Sequence, residues 1–132
     1  MSDKTIMIVD DDLHLVLSLT PRLEINGYKV ISAMNTSTAI AMAQKNLPDL
    51  VILDLRLPAE SDGLMLLQQM RGATQLMKTP IIVLTAGDAA SYKKRVLDAG
   101  ATAFFQKPPD NDELLGAIWK ALGGTRRHSA SA

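Results

Sequence analysis

One stretch of the chain decides how its fold is interpreted: Val51-Ile52-Leu53-Asp54-Leu55-Arg56-Leu57-Pro58. It opens with a short apolar run without alternation, which is typical of a strand buried on both faces of a parallel sheet. A carboxylate at the end of such a strand is poorly explained by packing, because charged side chains are rarely buried without a partner. The carboxyl ends of strands in open α/β sheets border the ligand crevice. We therefore interpret Asp54 as a functional carboxylate.

The composition fits one globular domain without a basic surface. The chain has 132 residues, of which 47% are hydrophobic and 21% charged, enough for a single core and too apolar for disorder. Because 14 basic residues balance 14 acidic ones, we expect no direct binding of nucleic acid. The absence of cysteine excludes disulfides and thiolate metal sites. Neither a signal peptide nor an apolar run of about 18 residues is present, so we expect no membrane partner and a cytoplasmic location.

Strand-like and helix-like patterns alternate five times along the chain. The predicted strands are Thr5–Val9, Tyr28–Ala33, the run ending at Asp54, Pro80–Thr85 and Ala101–Gln106. The predicted helices run from Leu13 to Asn26-Gly27, over Thr38–Lys45, Gly63–Arg71 and Ala89–Asp98, and from Asp110 through Leu122. This order predicts an α/β fold, a doubly wound five-stranded parallel sheet with helices on both faces. Pro21 lies inside the first helical pattern, so that helix either kinks or divides in two.

Polar residues follow four of the five predicted strands. The first strand ends in Asp10-Asp11-Asp12, the third in Asp54, the fourth in Thr85 and the fifth in Lys107. Since parallel strands place their carboxyl ends at one edge, these groups should share a crevice. Carboxylates about 4 Å apart repel by about 4 kcal/mol per pair at an effective dielectric of about 20. A cation would offset that repulsion, and oxygen ligands without histidine or cysteine favour a hard ion such as Mg²⁺.

The same groups suit phosphoryl chemistry. An aspartate oxygen can attack phosphorus and form an aspartyl phosphate. Lys107 can hold a phosphoryl oxygen as a point charge, and Thr85 can donate a hydrogen bond to the same oxygen. A metal ion and an ammonium together would stabilise the charge on the group in transit.

This pattern resembles the response-regulator receiver domain of two-component signalling, which has the CheY-like (flavodoxin-like) fold. The resemblance covers roughly Lys4 to Leu122 and depends on six motifs in order. They are Ile8–Asp12 (IVDDD), Val51–Pro58 (VILDLRLP), Asp62–Leu64 (DGL), Pro80–Ala86 (PIIVLTA), Asp98–Ala101 (DAGA) and Lys107-Pro108 (KP). It implies the strand order 2-1-3-4-5. It also implies a receiver domain over residues 1–122. The residues after the final glycines have no apolar face, so we expect 123–132 to be a flexible C-terminal tail or the start of a linker.

The resemblance assigns the metal and the phosphoacceptor. Asp54 would accept the phosphoryl group. Mg²⁺, or Mn²⁺ in its place, would be held by Asp10, Asp11 and Asp54, with the backbone carbonyl of Arg56 as a further ligand. The loop from Pro58 to Gly63 is one residue longer than the usual version, which bears on the shape of the site rather than on its chemical groups.

The resemblance also implies a switch. A histidine kinase phosphohistidine, or a phosphotransfer protein, would supply the phosphoryl group, and Thr85 and Lys107 would belong to the catalytic set. Thr85 and Phe104 would then switch the surface of the fourth helix, fifth strand and fifth helix toward a downstream protein target or output domain. The Lys107–Pro108 peptide would be cis. Such a domain catalyses its own phosphotransfer and dephosphorylation but is a signalling switch rather than an enzyme, and a weak or phosphorylation-dependent dimer stays open.

Other readings stay open on the residues alone. A phosphatase with an aspartate nucleophile needs a second carboxylate in a D-x-D arrangement, where this chain has Arg56. A degenerate receiver that only binds partners would not bind Mg²⁺. Asp12 is better explained as a cap of the first helix than as a metal ligand. Thr85, Lys107 and Phe104 also have purely structural readings, as a turn former, a surface lysine and a packed aromatic ring.

Overall fold

The fold alternates five strands with five helices, and the computed structural model describes residues 4–55, 63–86 and 90–124, without the side chains of 90–92. The strands are β1 (Thr5–Val9), β2 (Lys29–Ala33), β3 (Leu50–Leu53), β4 (Ile81–Thr85) and β5 (Ala103–Gln106). The helices are α1 (Leu13–Ile25), α2 (Thr36–Asn46), α3 (Gly63–Gly72), α4 (Ala90–Asp98) and α5 (Asn111–Ala121). The predicted bounds differ by one or two residues at the ends of elements, where side-chain caps rather than apolar periodicity set the limit.

The five strands form one parallel sheet in the order β2-β1-β3-β4-β5, so the predicted fold class and strand order are confirmed. The chain moves from β1 outward to β2 and then crosses back to β3 on the other side of β1. The carboxyl ends of β1 and β3 therefore border the point where the winding direction reverses, which is where open α/β sheets form a crevice.

Different helices cover the two faces of the sheet. One apolar cluster joins the sheet to buried side chains of α2, α3 and α4, and the other joins it to α1 and α5. The central strand β3 contributes to both clusters, and its four residues are at most 1% exposed. This burial confirms the interpretation of the apolar run before Asp54 as a strand enclosed on both faces.

Helix α1 is a single helix that continues through Pro21, so the predicted alternative of two shorter helices is wrong. Proline removes the hydrogen bond to the carbonyl of Leu17, but both residues are exposed and solvent can bond that carbonyl instead. The Asp12 carboxylate caps the helix by accepting hydrogen bonds from the amides of His14 (3.0 Å) and Leu15 (3.3 Å). This geometry confirms the capping interpretation of Asp12. Within the described residues, no helix has the length and apolar character needed to cross a membrane.

Candidate functional site

The site begins with two aspartates that follow the adjacent strands β1 and β3. The Asp10 amide donates to the Ala33 carbonyl (3.0 Å), and the Asp54 amide donates to the Val9 carbonyl (2.9 Å). These bonds continue the sheet ladder one residue past each strand. Both carboxylates therefore extend from main chain that is held at the carboxyl edge of the sheet.

Side chains from β4 and from the end of β5 complete the cluster. The Thr85 hydroxyl donates to Oδ1 of Asp54 at 2.9 Å. The Lys107 ammonium lies 3.1 Å from Oδ2 of Asp54 and 2.8 Å from Oδ2 of Asp10. The Lys107 amide also donates to the Thr85 carbonyl (2.8 Å), which fixes the start of the lysine side chain beside β4. The two oxygens of Asp54 thus contact side chains from two different strand ends.

Burial makes these charges interact strongly. Asp10, Asp54 and Thr85 are only 2%, 4% and 2% exposed. Burial raises the pKa of Asp10 from 3.8 to about 6, and the charge of Asp54 adds to the rise, although Lys107 and the Asp12 amide oppose it. For Lys107, burial alone would lower the pKa, but hydrogen bonds and charges from Asp10 and Asp54 outweigh it and the pKa is raised. Lys107 therefore remains an ammonium at neutral pH.

A third carboxylate, from Asp11, joins the two buried aspartates. Asp10, Asp11 and Asp54 each offer a carboxylate oxygen, and these oxygens lie within 4.8 Å of one another. Asp11 is exposed, so the cluster reaches solvent on its side. Because one ammonium neutralises only one of three carboxylates, the remaining charge and the oxygen-only donors fit a hard divalent cation. The structure thus contains an aspartate cluster that could hold a metal ion.

The structure describes two of the other predicted site features, Phe104 and the Lys107–Pro108 peptide, but not Arg56. Arg56, whose backbone carbonyl is the fourth predicted metal ligand, lies outside the described residues, as does the predicted longer loop up to Gly63. Phe104 is half-buried on β5 and pairs in register with Val83, so by strand alternation it lies on the same face of the sheet as Thr85. It packs against the apolar cluster that contains Val96 of α4. The Lys107–Pro108 peptide is cis, as expected.

One residue next to the site was predicted only as the start of a helix. A Cβ atom on Gly63 would overlap the main-chain carbonyl oxygen of Asp54 and the Cα of Leu55, and the Gly63 amide donates to the Leu55 carbonyl (2.9 Å). Helix α3 therefore begins directly against the main chain of the site, at a distance only glycine allows. The Asp62–Leu64 motif marked the position, but its neighbours in space could not be inferred from it.

Comparison with known proteins agrees with this geometry. The family model for the response regulator receiver domain matches residues 6–119. The transcriptional regulatory protein KdpE of Mycobacterium tuberculosis is 36% identical over 127 residues, which are 96% of this chain and 53% of KdpE. The chain thus spans about half the length of the curated relatives it matches.

Solved structures give the same result. A candidate response regulator from Chloroflexus aurantiacus has a TM-score of 0.86 and 34% identity, covering 92% of this chain and 98% of that one. The BeF3-activated N-terminal receiver domain of Klebsiella pneumoniae RstA has a TM-score of 0.83 and 28% identity, covering 91% and 99%. The sheet order, the acidic cluster at its carboxyl edge and these matches lead to one conclusion: the chain belongs to the response regulator receiver domain family of two-component systems.

Proposed function

We propose that this chain is a phosphorylation-operated switch in which Asp54 accepts a phosphoryl group from the phosphohistidine of a histidine kinase or phosphotransfer protein. The observation that carries the proposal is the pair of contacts on Asp54, with the Thr85 hydroxyl on one oxygen and the Lys107 ammonium on the other. A carboxylate held this way can attack phosphorus with either oxygen while its neighbours hold the phosphoryl oxygens.

The chemistry follows from these positions. An Asp54 oxygen forms a bond to phosphorus, the bond from phosphorus to the histidine nitrogen breaks, and the nitrogen keeps the electron pair. The Lys107 ammonium, which donates to Asp54 before the reaction, donates to a phosphoryl oxygen instead. The contact of this ammonium with Asp10 (2.8 Å) holds the lysine side chain in place. Asp10, Asp11 and Asp54 would hold Mg²⁺ or Mn²⁺, together with the Arg56 carbonyl, and the ion would offset the charge of the transferred group.

The proposed conformational switch begins with a movement of Thr85. Once phosphorylated, Asp54 presents new acceptor oxygens, and the Thr85 hydroxyl already donates to this side chain. A shift of Thr85 changes the space next to Phe104, which lies on the same face of the sheet. The surface made by α4, β5 and α5 would then favour a different partner. The phosphoryl group drives this change only by the free energy with which it prefers one conformer.

The kinase is expected to dock on α1, because that helix leads away from the acidic cluster with an uncovered apolar stripe. Leu13 and Leu17 are 56% and 63% exposed, Pro21 continues the stripe at the same spacing, and Leu13 is two residues from Asp11. A partner that covers this part of α1 brings its phosphohistidine next to the cluster.

The proposed domain comprises residues 1–122, with 123–132 as a tail or the start of a linker. Its relatives are about twice its length, and one is named a transcriptional regulatory protein. We propose that the receiver acts on an output domain or a separate protein target and makes no direct contact with nucleic acid, in keeping with its zero net charge. Phosphorylation could also strengthen a weak dimer.

Acetyl phosphate and Mg²⁺ test the proposal without a kinase. The parent chain should gain the mass of one phosphoryl group in intact-mass spectrometry, and Asp54→Asn should gain none. Asp12→Asn is the matched control, since Asp12 caps α1 and asparagine preserves a cap, so this variant should label like the parent. Equal labelling of Asp54→Asn and the parent would contradict the assignment.

A further inference from the structure

Arg71, in the last turn of α3, bonds four main-chain carbonyls at the end of the sheet remote from the acidic cluster. Its Nε donates to the Gly100 carbonyl (3.0 Å), and its Nη1 lies within hydrogen-bond distance of the carbonyls of Leu76 (3.3 Å), Met77 (3.2 Å) and Thr79 (2.7 Å). Within the described part of the chain, no carboxylate lies in ion-pair contact with this guanidinium. Its donors serve the main chain instead, and they join α3 to two separate loops.

Gly100 is shaped for this contact. Its φ of +110° is one that other residues rarely adopt. A Cβ added there would also lie 3.0 Å from Nε and 3.1 Å from Cγ of Arg71, so the arginine side chain lies flat against the glycine. The backbone conformation therefore strongly favours glycine at this position, and any other side chain would also require Arg71 to shift by a few tenths of an ångström.

The turn that Arg71 holds is the C-terminal end of α4. The amide of Gly100 donates to the Leu97 carbonyl (3.1 Å), and the Ala101 amide donates to the Val96 carbonyl (3.1 Å). Immediately afterwards, the Thr102 amide donates to the Ile81 carbonyl (2.7 Å), and the Thr102 hydroxyl accepts from the Ile81 amide (3.1 Å). The end of α4 is thus fixed to α3 on one side and to β4 on the other.

Helix α3 connects this anchor to the site. Its first residue, Gly63, packs against the main chain of Asp54 and Leu55. Its middle is secured by the fully buried side chains of Leu66, Leu67 and Met70. The ten residues of α3 span about 15 Å at the usual helical rise. The N-terminal end of α3 is therefore fixed at the site, and its C-terminal end is fixed at Gly100 through Arg71.

We propose that Arg71 is a positioning residue that anchors the C-terminal end of α4, so that α4 responds to the site by pivoting about Gly100 rather than by moving as a whole. The other end of α4 follows Thr85 and Ala86 along the chain, where the change in the proposed switch begins. The inference rests on the proposed function for its trigger, but the anchoring itself is a property of the unphosphorylated chain.

Hydrogen exchange with mass spectrometry tests the anchor first without ligand. At labelling times too short for global unfolding, the amides of Gly100, Ala101 and Thr102 in Arg71→Ala should exchange about tenfold faster than in the parent, while α5 is unchanged, because only local openings contribute to exchange at these times. Asp49→Ala is the matched control. Asp49 also bonds main chain at this end of the sheet, accepting from the Thr5 amide (2.7 Å), but it has no hydrogen bond or ion pair with the α4–β5 turn within the described residues. At these short labelling times, a uniform rise across the chain in Arg71→Ala, or the same local rise in Asp49→Ala, would overturn the anchor.

The second measurement adds Mg²⁺ and beryllofluoride, the activating species named for the RstA receiver. In the parent and in Asp49→Ala, the exchange change should lie in the first half of α4 and leave residues 99–102 unaltered. In Arg71→Ala, the exchange change should spread into residues 99–102. Arg71→Lys keeps the charge but lacks the planar guanidinium, so its change in residues 99–102 should be intermediate between those of the parent and Arg71→Ala. Identical patterns in the parent and Arg71→Ala would overturn the pivot. If the parent shows no exchange change anywhere, the proposed function fails, and the ligand-free comparison still decides whether Arg71 anchors the turn.

Discussion

The two ends of the sheet use their ionisable side chains in opposite ways. At the carboxyl end, the Lys107 ammonium bonds the carboxylates of both Asp10 (2.8 Å) and Asp54 (3.1 Å). At the amino end, Arg71 donates to main-chain carbonyls and Asp49 accepts from the Thr5 amide. A charge bonded to the main chain stabilises one backbone arrangement. A cluster of three carboxylates around one ammonium has surplus charge, so its arrangement depends on what binds there.

The groups that a buried cation bonds distinguish a functional role from a structural one more clearly than its burial does. Arg71 is half-buried and has its pKa lowered by burial, and Lys107 is similarly enclosed. Removing either cation would leave polar groups without their partner. Of the two losses, that of Lys107 should change the chemistry, because Lys107, unlike Arg71, contacts the carboxylate that we propose as the nucleophile.

The largest expected effect is the loss of phosphoryl transfer in Lys107→Ala. Removing one preorganised charge from a transition state typically slows a reaction by about 10²–10³-fold, and we expect this factor for labelling by acetyl phosphate with Mg²⁺. Arg71→Ala, which removes the cation from the opposite end, should label within about twofold of the parent. The measurement is the initial labelling rate by intact mass. Similar slowing in both variants would remove the distinction between the two ends.

The next effect is a loss of stability at the amino end. Hydrogen bonds from charged donors contribute about 1.5–3 kcal/mol each, and Arg71→Ala removes several, so its free energy of unfolding should fall by about 3 kcal/mol. Arg71→Lys should retain part of this. Lys78→Ala, an exposed cation in the same loop, should stay within about 0.5 kcal/mol of the parent. Urea denaturation followed by circular dichroism decides, and a Lys78 effect as large as that of Arg71 would refute the special role of the guanidinium.

A smaller effect is a pH dependence at the carboxyl end. The pKa of Asp10 is raised from 3.8 to about 6, first by burial, so the folded chain binds this proton more tightly than the unfolded chain. The resulting stabilisation is fully present below 3.8 and is lost as pH rises through about 6. In chelator, the free energy of unfolding of the parent relative to Asp10→Asn should fall by on the order of 2 kcal/mol over this range. Parallel pH profiles for the two chains would contradict the raised pKa.

The smallest expected effect compares two positions on one helix that runs between the two ends. Leu17→Glu should lower the rate of phosphotransfer from a kinase that phosphorylates the parent by about tenfold, because a charge replaces an apolar contact at the proposed interface. Ile25 lies about 12 Å further along α1 than Leu17 and is 85% exposed. Ile25→Glu should therefore have little effect on this rate. Both should label normally with acetyl phosphate, and equal loss in both would move the interface away from the site end of α1.

The carboxyl end was largely predictable from sequence and the amino end was not. Parallel strands must bring their carboxyl ends together, so Asp10, Asp54, Thr85 and Lys107 could be grouped once the apolar runs before them were identified. Arg71 carried no such signal, because its acceptors are main-chain oxygens, one of them 29 residues away. The contact of Gly63 with the site could not be predicted for the same reason, because Gly63 lies against the main chain of Asp54. Sequence patterns report which side chains are buried or charged, whereas contacts to main chain depend on how the loops are arranged.

The most direct measurement of the central claim locates the phosphoryl group within the cluster. After labelling with acetyl phosphate and Mg²⁺, borohydride reduction converts a phosphorylated aspartate to homoserine, which peptide sequencing by tandem mass spectrometry can place. We expect homoserine at position 54 alone, because Asp54 is the one aspartate among the described residues that contacts both the Thr85 hydroxyl and the Lys107 ammonium. Homoserine at position 10 or 11, or none in a chain that binds Mg²⁺, would contradict the account.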